Sequence, residues 1–254
     1  MRKFVINLDE DTDRLRSFRD ANRHVDGIVR FRAFRGSELS RAALNAEGYI
    51  SPDLAYKNGT LGCARSHIAL WEQAVKLGEP HLILEDDALL ARNFDSAFER
   101  LLNIDPGWEL ITWGYNFNSY VWGELLDGMS RFRLALNQDD LRDNIRKWET
   151  LELSPMLLRL KHQFGLCGYS ISPKGAARLI ELCLPLSNNP ISFDGYNVKI
   201  ENSFFDCSVN RGFPKINAYM CFPPLVITTQ DKSLSSITRI NNETNIERDP
   251  KSAT

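Results

Sequence analysis

Short apolar runs alternate with segments of helical spacing through the N-terminal half of this chain. "KFVINL" (Lys3 to Leu8) is an apolar run bounded by acidic residues, the pattern of a buried strand. In "DEDTDRLRSFRDANRHV", Leu15, Phe18 and Val25 are spaced for one helix face, with acids in the first turn where the dipole favours them. "IVRFRAF" reads as a second strand, closed by Gly36. The opening is therefore β-α-β, the start of a right-handed parallel unit. "GTLGCARSHIALWEQAVKLG" (Gly59 to Gly78) reads as a helix with Ala64, Ile68, Trp71 and Val75 on one face and Gly78 as its stop. "HLIL" is a strand, "FDSAFERLLNI" a helix with Phe94, Phe98, Leu101 and Leu102 inward, and "WELITWG" another strand. The alternation predicts an α/β fold with a mostly parallel central sheet and helices on both faces.

The middle, residues 117–161, is mixed, with helical spacing at Leu141, Ile145 and Trp148. It reads as a helical insertion or lid over the sheet. Regular pattern returns at "FGLCGYSISPKGAARLIELCL", where Phe164 to Ile171 is a strand, Ser172 an N-cap and Pro173 the first helical residue. "KINAYMCFPPLVIT" supplies a further strand or two. These readings give one domain over residues 1–240 and a polar, flexible tail over residues 241–254. Hydrophobic residues at 43% and charged residues at 25% suit a globular domain, and a net charge of −2 gives no argument for nucleic acid as a partner. The five cysteines form no Cys-x-x-Cys pair, which argues against a disulfide framework and a structural zinc site. They read as small hydrophobes in a reducing cytoplasm. No apolar run is long enough for a signal peptide or a membrane span, so any meeting with a membrane is peripheral.

"HLILEDDALL" (His81 to Leu90) sets three consecutive carboxylates, Glu85, Asp86 and Asp87, directly after an apolar strand. Like charges that close repel, and burial worsens the repulsion. Either the three sit in water at a strand edge, or a cation sits between them. In open α/β sheets ligands bind beyond the carboxyl ends of strands, and alternation sends Glu85 and Asp87 to one side and Asp86 to the other. A carboxylate there can hold a hard divalent cation while phosphates complete its shell; a solvated acidic turn explains the run equally well. In "GCARSHIALW", Ser66 and His67 fall in the first turns of a helix, whose N-terminus attracts anions, and Gly62 allows a ligand to approach the backbone. The bland alternative is a histidine packed beside Trp71.

Taken together, "FVINLDEDTDRLRSF", "GTLGCARSHIALWEQAV" and "LILEDDA" resemble glycosyltransferase family 25, which includes bacterial lipooligosaccharide galactosyltransferases and collagen galactosyltransferases. Members open on an "INL" strand with an arginine several residues later, matched by Asn7, Leu8 and Arg14. Their "GC..SH..LW" helix is matched by Gly62, Cys63, Ser66, His67, Leu70 and Trp71, and their acidic strand end by Glu85, Asp86 and Asp87. "GYSISPKGAARLI", "NNPISFDGY" with Asp194, and "PPLVITTQDKSLSSI" with Gln230, Ser235 and Ser236 resemble later segments, so the likeness runs in order from Phe4 to Ile237. Arg35 departs from it, standing where many members carry an acidic residue before Gly36.

The resemblance implies a GT-A-like fold and an inverting hexosyl transfer, most simply β-galactosyl transfer from UDP-galactose to a glycan hydroxyl in lipooligosaccharide or surface polysaccharide assembly. It implies Mn²⁺ or Mg²⁺ on Asp87, with Glu85 or Asp86 at the ribose or in the ligand shell. Asn7, Leu8, Arg14, Ser66, His67 and Gln230 would hold the nucleotide. Asp194 is the candidate base, ahead of Glu201 and Asp206. An oligosaccharide or lipid-linked acceptor would set the enzyme in the cytoplasm, at the inner face of a membrane in the lipid-linked case. Two other classes remain open. Asp9, Asp11 and Asp13 after a strand suit a metal-dependent phosphohydrolase, although the same acids suit a helix first turn. A non-catalytic nucleotide-sugar-binding module is the third reading.

Overall fold

The computed structural model describes residues 1–126 and 128–228. The chain opens with strand β1 (Arg2–Asn7), helix α1 (Thr12–Ala21) and strand β2 (Ile28–Arg32), the expected β-α-β unit. A 3-10 turn (Gly36–Glu38) and α2 (Arg41–Ala46) lead into the long α3 (Asn58–Leu77). Next come β3 (His81–Glu85), β4 (Leu89–Leu90), α4 (Phe94–Leu102) and β5 (Leu110–Thr112). The middle segment supplies β6 (Tyr120–Glu124), β7 (Arg131–Ala135), α5 (Gln138–Asp143), α6 (Ile145–Trp148) and most of β8 (Met156–His162). The chain continues through β9 (Gly168–Ile171), α7 (Pro173–Cys183), β10 (Ile191–Phe193), β11 (Val198–Ile200), α8 (Phe205–Val209), β12 (Ala218–Phe222) and β13 (Val226–Ile227).

Nine strands form one sheet in the order β2-β1-β3-β9-β5-β12-β8-β6-β7. Pairings β1 with β2, β1 with β3 and β5 with β12 are parallel. The strands β9, β8 and β7 run against the rest. The fold is α/β and GT-A-like, with the parallel strands concentrated on the β2-β1-β3 side. The segment 117–161 is built into the sheet: β6, β7 and β8 form its far edge, while Leu141, Ile145 and Trp148 pack onto the core.

Strand alternation divides the core into two layers. Phe4, Ile83 and Leu110 face one layer, with Ile68 and Trp71 of α3 and Leu179 of α7. Val5, Leu82, Leu84 and Ile111 face the other, with Phe18 of α1 and Phe98 and Leu101 of α4. A fully buried side chain of this size stabilises the fold by about 1.5–3 kcal/mol. Three local expectations are corrected. Val75 is exposed, and its neighbour Ala74 takes the buried position on that turn of α3. Val25 is buried but follows the end of α1. Residues 164–167 leave the sheet before β9, where Gly165 adopts φ +86° and its N–H bonds to Asp206.

Candidate active site

Strands β1 and β3 are parallel neighbours, with Ile6 opposite Glu85. Their carboxyl ends therefore bring Asn7 and Asp86 side by side. Asn7 Nδ2 donates to Asp86 Oδ2 (2.7 Å) and to the Asp11 carbonyl (3.0 Å), and its own oxygen accepts from Arg30 Nε (3.0 Å). Asp86 continues on the face of Leu82 and Leu84, the side that α1 covers, and there it meets Arg14. Arg14 Nε donates to Asp86 Oδ1 at 2.9 Å, and Nη2 contacts the same oxygen. Burial works against the Arg14 charge, but Asp86, Asp87 and Asp11 outweigh it and hold the guanidinium charged.

Glu85 lies on the opposite face, toward α3. Its Oε1 is 3.6 Å from Nε2 of His67. The chain then turns, with Ala88 N–H donating to the Glu85 carbonyl (3.1 Å). The turn ends strict alternation and brings Asp87 Oδ2 within 3.6 Å of Arg14. Asp87 Oδ1 is buried and has no hydrogen-bond partner. Burial first, and the Glu85 charge next, push the Asp87 carboxyl up to about 6. Of the three acids, Asp86 is saturated with donors while Asp87 holds an unmet acceptor, a difference the sequence does not reveal.

These residues line one pocket, together with Leu8, Asp11, Ala33, Phe34, Cys63, Ser66 and His67. Its ionisable wall carries the carboxylates of Asp11, Glu85, Asp86 and Asp87 against the single guanidinium of Arg14. Like charges so arranged disfavour a further anion unless a cation lies between. The unpartnered Asp87 oxygen and the carboxylates beside it fit a hard cation.

The α3 residues take different parts from those expected. The helix begins at Asn58, so Ser66 and His67 lie about two turns in, beyond the reach of its N-terminal dipole. Ser66 is buried and its hydroxyl is engaged, donating to the Gly62 carbonyl (2.7 Å) and accepting from Phe34 N–H (2.9 Å). Gly62 does not admit a ligand; it admits the chain's own 34–36 segment. A Cβ on Gly62 would stand 2.4 Å from the Phe34 carbonyl oxygen, and one on Gly36 would overlap the Asn58 carbonyl. His67 is 1% exposed, pairs through Nδ1 with the Tyr169 hydroxyl (2.9 Å) and stacks on Phe205.

Asp194 sits exposed in the β10–β11 turn, closed by Tyr196 N–H to the Phe193 carbonyl (3.0 Å), with Gly195 at φ +80°. It is not among the pocket-lining residues, and neither is Glu201, which lines a separate cavity with Tyr56 and Lys57. Asp206 follows Phe205, the ring stacked on His67, and its carboxylate accepts from the N–H groups of Gly165 and Cys207, both at 2.9 Å. Burial raises its carboxyl, the two N–H donors oppose that, and Glu85 adds to the rise. Gln230, Ser235, Ser236 and the 241–254 tail lie outside the described residues. Arg35 pairs with Glu10 and donates to Ser37 Oγ (3.1 Å), tying the β1–α1 loop to the 3-10 turn.

Residues 1–195 match the family described as Glycosyltransferase family 25 (LPS biosynthesis protein). The chain belongs to glycosyltransferase family 25. The match takes in the opening strand, α3, the acidic end of β3 and Asp194, and stops before Asp206. Comparison with curated proteins finds no match. Membership makes the chain a glycosyltransferase and gives it a sugar donor and a glycan acceptor. Two of the three acids of the phosphohydrolase reading are engaged away from the pocket, and Asp11 alone lines it. Asp9 is held by Arg30 and Arg32, which lower its carboxyl, and Asp13 pairs on the surface with Arg16. No helix among the described residues is long and apolar enough to cross a membrane.

Sequence reading missed Cys63 as a pocket residue. It sits four positions before His67, hence on the same helix face, and that spacing was the available signal.

Proposed function

We propose that this glycosyltransferase moves a hexose, most simply galactose from UDP-galactose, onto a glycan hydroxyl with inversion and with a divalent cation. The observation that carries the reading is Asp87, a carboxylate with a buried, unpartnered oxygen beside Glu85, in a pocket too acidic to take a diphosphate alone. Asp87 would hold Mn²⁺ or Mg²⁺, with Glu85 at the edge of the shell, and the cation supplies Lewis-acid neutralisation of the leaving diphosphate. Arg14 and Asn7 fix Asp86 and hence the turn that carries Asp87. The apolar wall of Leu8, Ala33 and Phe34 suits a nucleobase.

An inverting displacement needs one base to take the proton of the acceptor hydroxyl on the face opposite the leaving group. Asp194 and Asp206 are the two carboxylates for that role. Neither lines the pocket, but the stacking of Phe205 on His67, the influence of Glu85 on Asp206 and a carboxyl raised by burial favour Asp206. Asp194→Asn and Asp206→Asn separate them: the base variant loses transfer by roughly 100-fold or more while keeping donor binding. Full turnover in both variants excludes both residues.

The experiment for the whole reading is UDP release from a panel of nucleotide sugars, with and without Mn²⁺ and a glycan acceptor. Metal-dependent release with one UDP-hexose is expected. Equal turnover in the presence of a chelator removes the cation from the account, and release from a non-uridine donor alone removes the UDP-sugar. A lipid-linked acceptor would make the site of action the inner face of a membrane, reached peripherally.

A further inference from the structure

The acidic pocket contains a second set of ligands, which shares only Glu85 with the proposed transfer site. Cys63 and His67 are four residues apart on α3, the spacing that sets two side chains on one helix face and that zinc-binding helices exploit. Glu85 reaches the same point from the end of β3. One ligand atom from each of Cys63, His67 and Glu85 lies within 4.8 Å of the others, and His67 Nε2 to Glu85 Oε1 is 3.6 Å. Tetrahedral zinc, with bonds of about 2.0–2.3 Å, sets its ligands about 3.3–3.7 Å apart. The nitrogen–oxygen pair already meets that spacing, and the remaining separations close by about 1 Å.

The surroundings orient the set. His67 Nδ1 pairs with the Tyr169 hydroxyl at 2.9 Å, and that hydroxyl also accepts from Trp71 Nε1 at 2.8 Å. The Tyr169 contact turns Nε2 toward Glu85, and in the Nδ1–H tautomer, which a metal ion on Nε2 requires, an outer hydrogen bond to Tyr169 would hold the ligating imidazole. Sulfur, nitrogen and one carboxylate oxygen select a borderline-soft cation, whereas the carboxylates around Asp87 select a hard one. Three protein ligands leave the fourth position open to the pocket.

We infer that Cys63, His67 and Glu85 form a thiophilic cation site, of the kind zinc occupies, and that its occupation blocks the donor pocket. The thiol gives up its proton when the metal binds. Glu85 and Cys63 both line the pocket, so an ion on them fills space the donor would enter. The blocking half rests on the donor-pocket reading above, while the binding half does not, and the first two readouts below are independent of turnover.

The test titrates the full chain, freed of metal, with Co²⁺ as a visible stand-in and Zn²⁺ as competitor. One equivalent of Co²⁺ is expected to give a thiolate-to-cobalt charge-transfer band that Zn²⁺ abolishes, that Cys63→Ser lacks and that Asp87→Asn retains. A band that survives in Cys63→Ser, that vanishes in Asp87→Asn, or that never forms overturns the site. A second readout uses the unaltered chain. Cys63 is half-buried while the other four cysteines are buried, so a small alkylating reagent reaches it first. Zn²⁺ is expected to slow that reaction at least tenfold, and no protection overturns the site. UDP release in Mn²⁺ should fall at least tenfold when one equivalent of Zn²⁺ is added. Unchanged release with the cobalt band present would overturn the blocking half alone.

Discussion

The Asp87→Asn substitution should stabilise the metal-free fold while removing activity. The Asp87 carboxyl is pushed up to about 6 from an ordinary 3.8, by burial first and by Glu85 next. At about 1.36 kcal/mol per pH unit, that interval corresponds to about 3 kcal/mol. The side chain is 36% exposed, so water screens part of the effect and about 1–2 kcal/mol survives. The folded chain holds this proton more tightly than the unfolded chain. Its stabilising contribution is therefore whole below about pH 4 and is lost as pH rises through about 6. Asparagine does not titrate. In chelator at neutral pH the variant is expected to melt about 3–6 °C above wild type, given the scaling for a chain of this size. At about pH 4 the gap should close. Turnover at neutral pH should fall on the order of 100-fold or more, because the acceptor oxygen meant for the cation carries no charge. A variant no more stable than wild type at neutral pH, or a gap of the same size at about pH 4, would refute the claim that Asp87 is a repelled carboxylate waiting for a cation.

Three further outcomes follow from the site's supports. Arg14→Ala strands Asp86 without its guanidinium and should lower stability by about 2–4 kcal/mol in urea unfolding. Arg14→Lys should recover only part of this, since a lysine cannot reproduce the two-nitrogen contact. Gly62→Ala puts a methyl group 2.4 Å from a backbone carbonyl oxygen and should lower the melting temperature through a loss of about 1–3 kcal/mol. Tyr169→Phe leaves Trp71 Nε1 and His67 Nδ1 without their shared partner and should lower stability by about 1–3 kcal/mol in the same assay.

Much of this architecture is legible in the sequence because both of its periods are clean. Alternation in β1 and β3 sends Phe4 and Ile83 to one layer and Val5, Leu82 and Leu84 to the other. Extended by one residue each way, the same alternation puts Glu85 beside α3 and Asp86 beside α1. It fails at Asp87, where a turn takes over. The far edge of the sheet was harder to see. β7 alternates exposed and half-buried residues over only five positions, and none of the five is fully buried. Ser66 and Gly62 look like ligand contacts in isolation, yet their partners are the backbone of Phe34 and Gly36, a tertiary contact that no local pattern encodes. Cys63 looked like a small core residue because its third companion, Glu85, arrives from another element.

On the proposed function, the repelling acids at the end of β3 relax only when a cation and a nucleoside diphosphate bind together. Calorimetric titration of Mn²⁺ into the enzyme, with and without saturating UDP, addresses it directly. Mn²⁺ is expected to bind weakly to the enzyme alone and at least tenfold more tightly with UDP, and Asp87→Asn should lose the UDP-dependent gain. Equal Mn²⁺ affinity with and without UDP would contradict it.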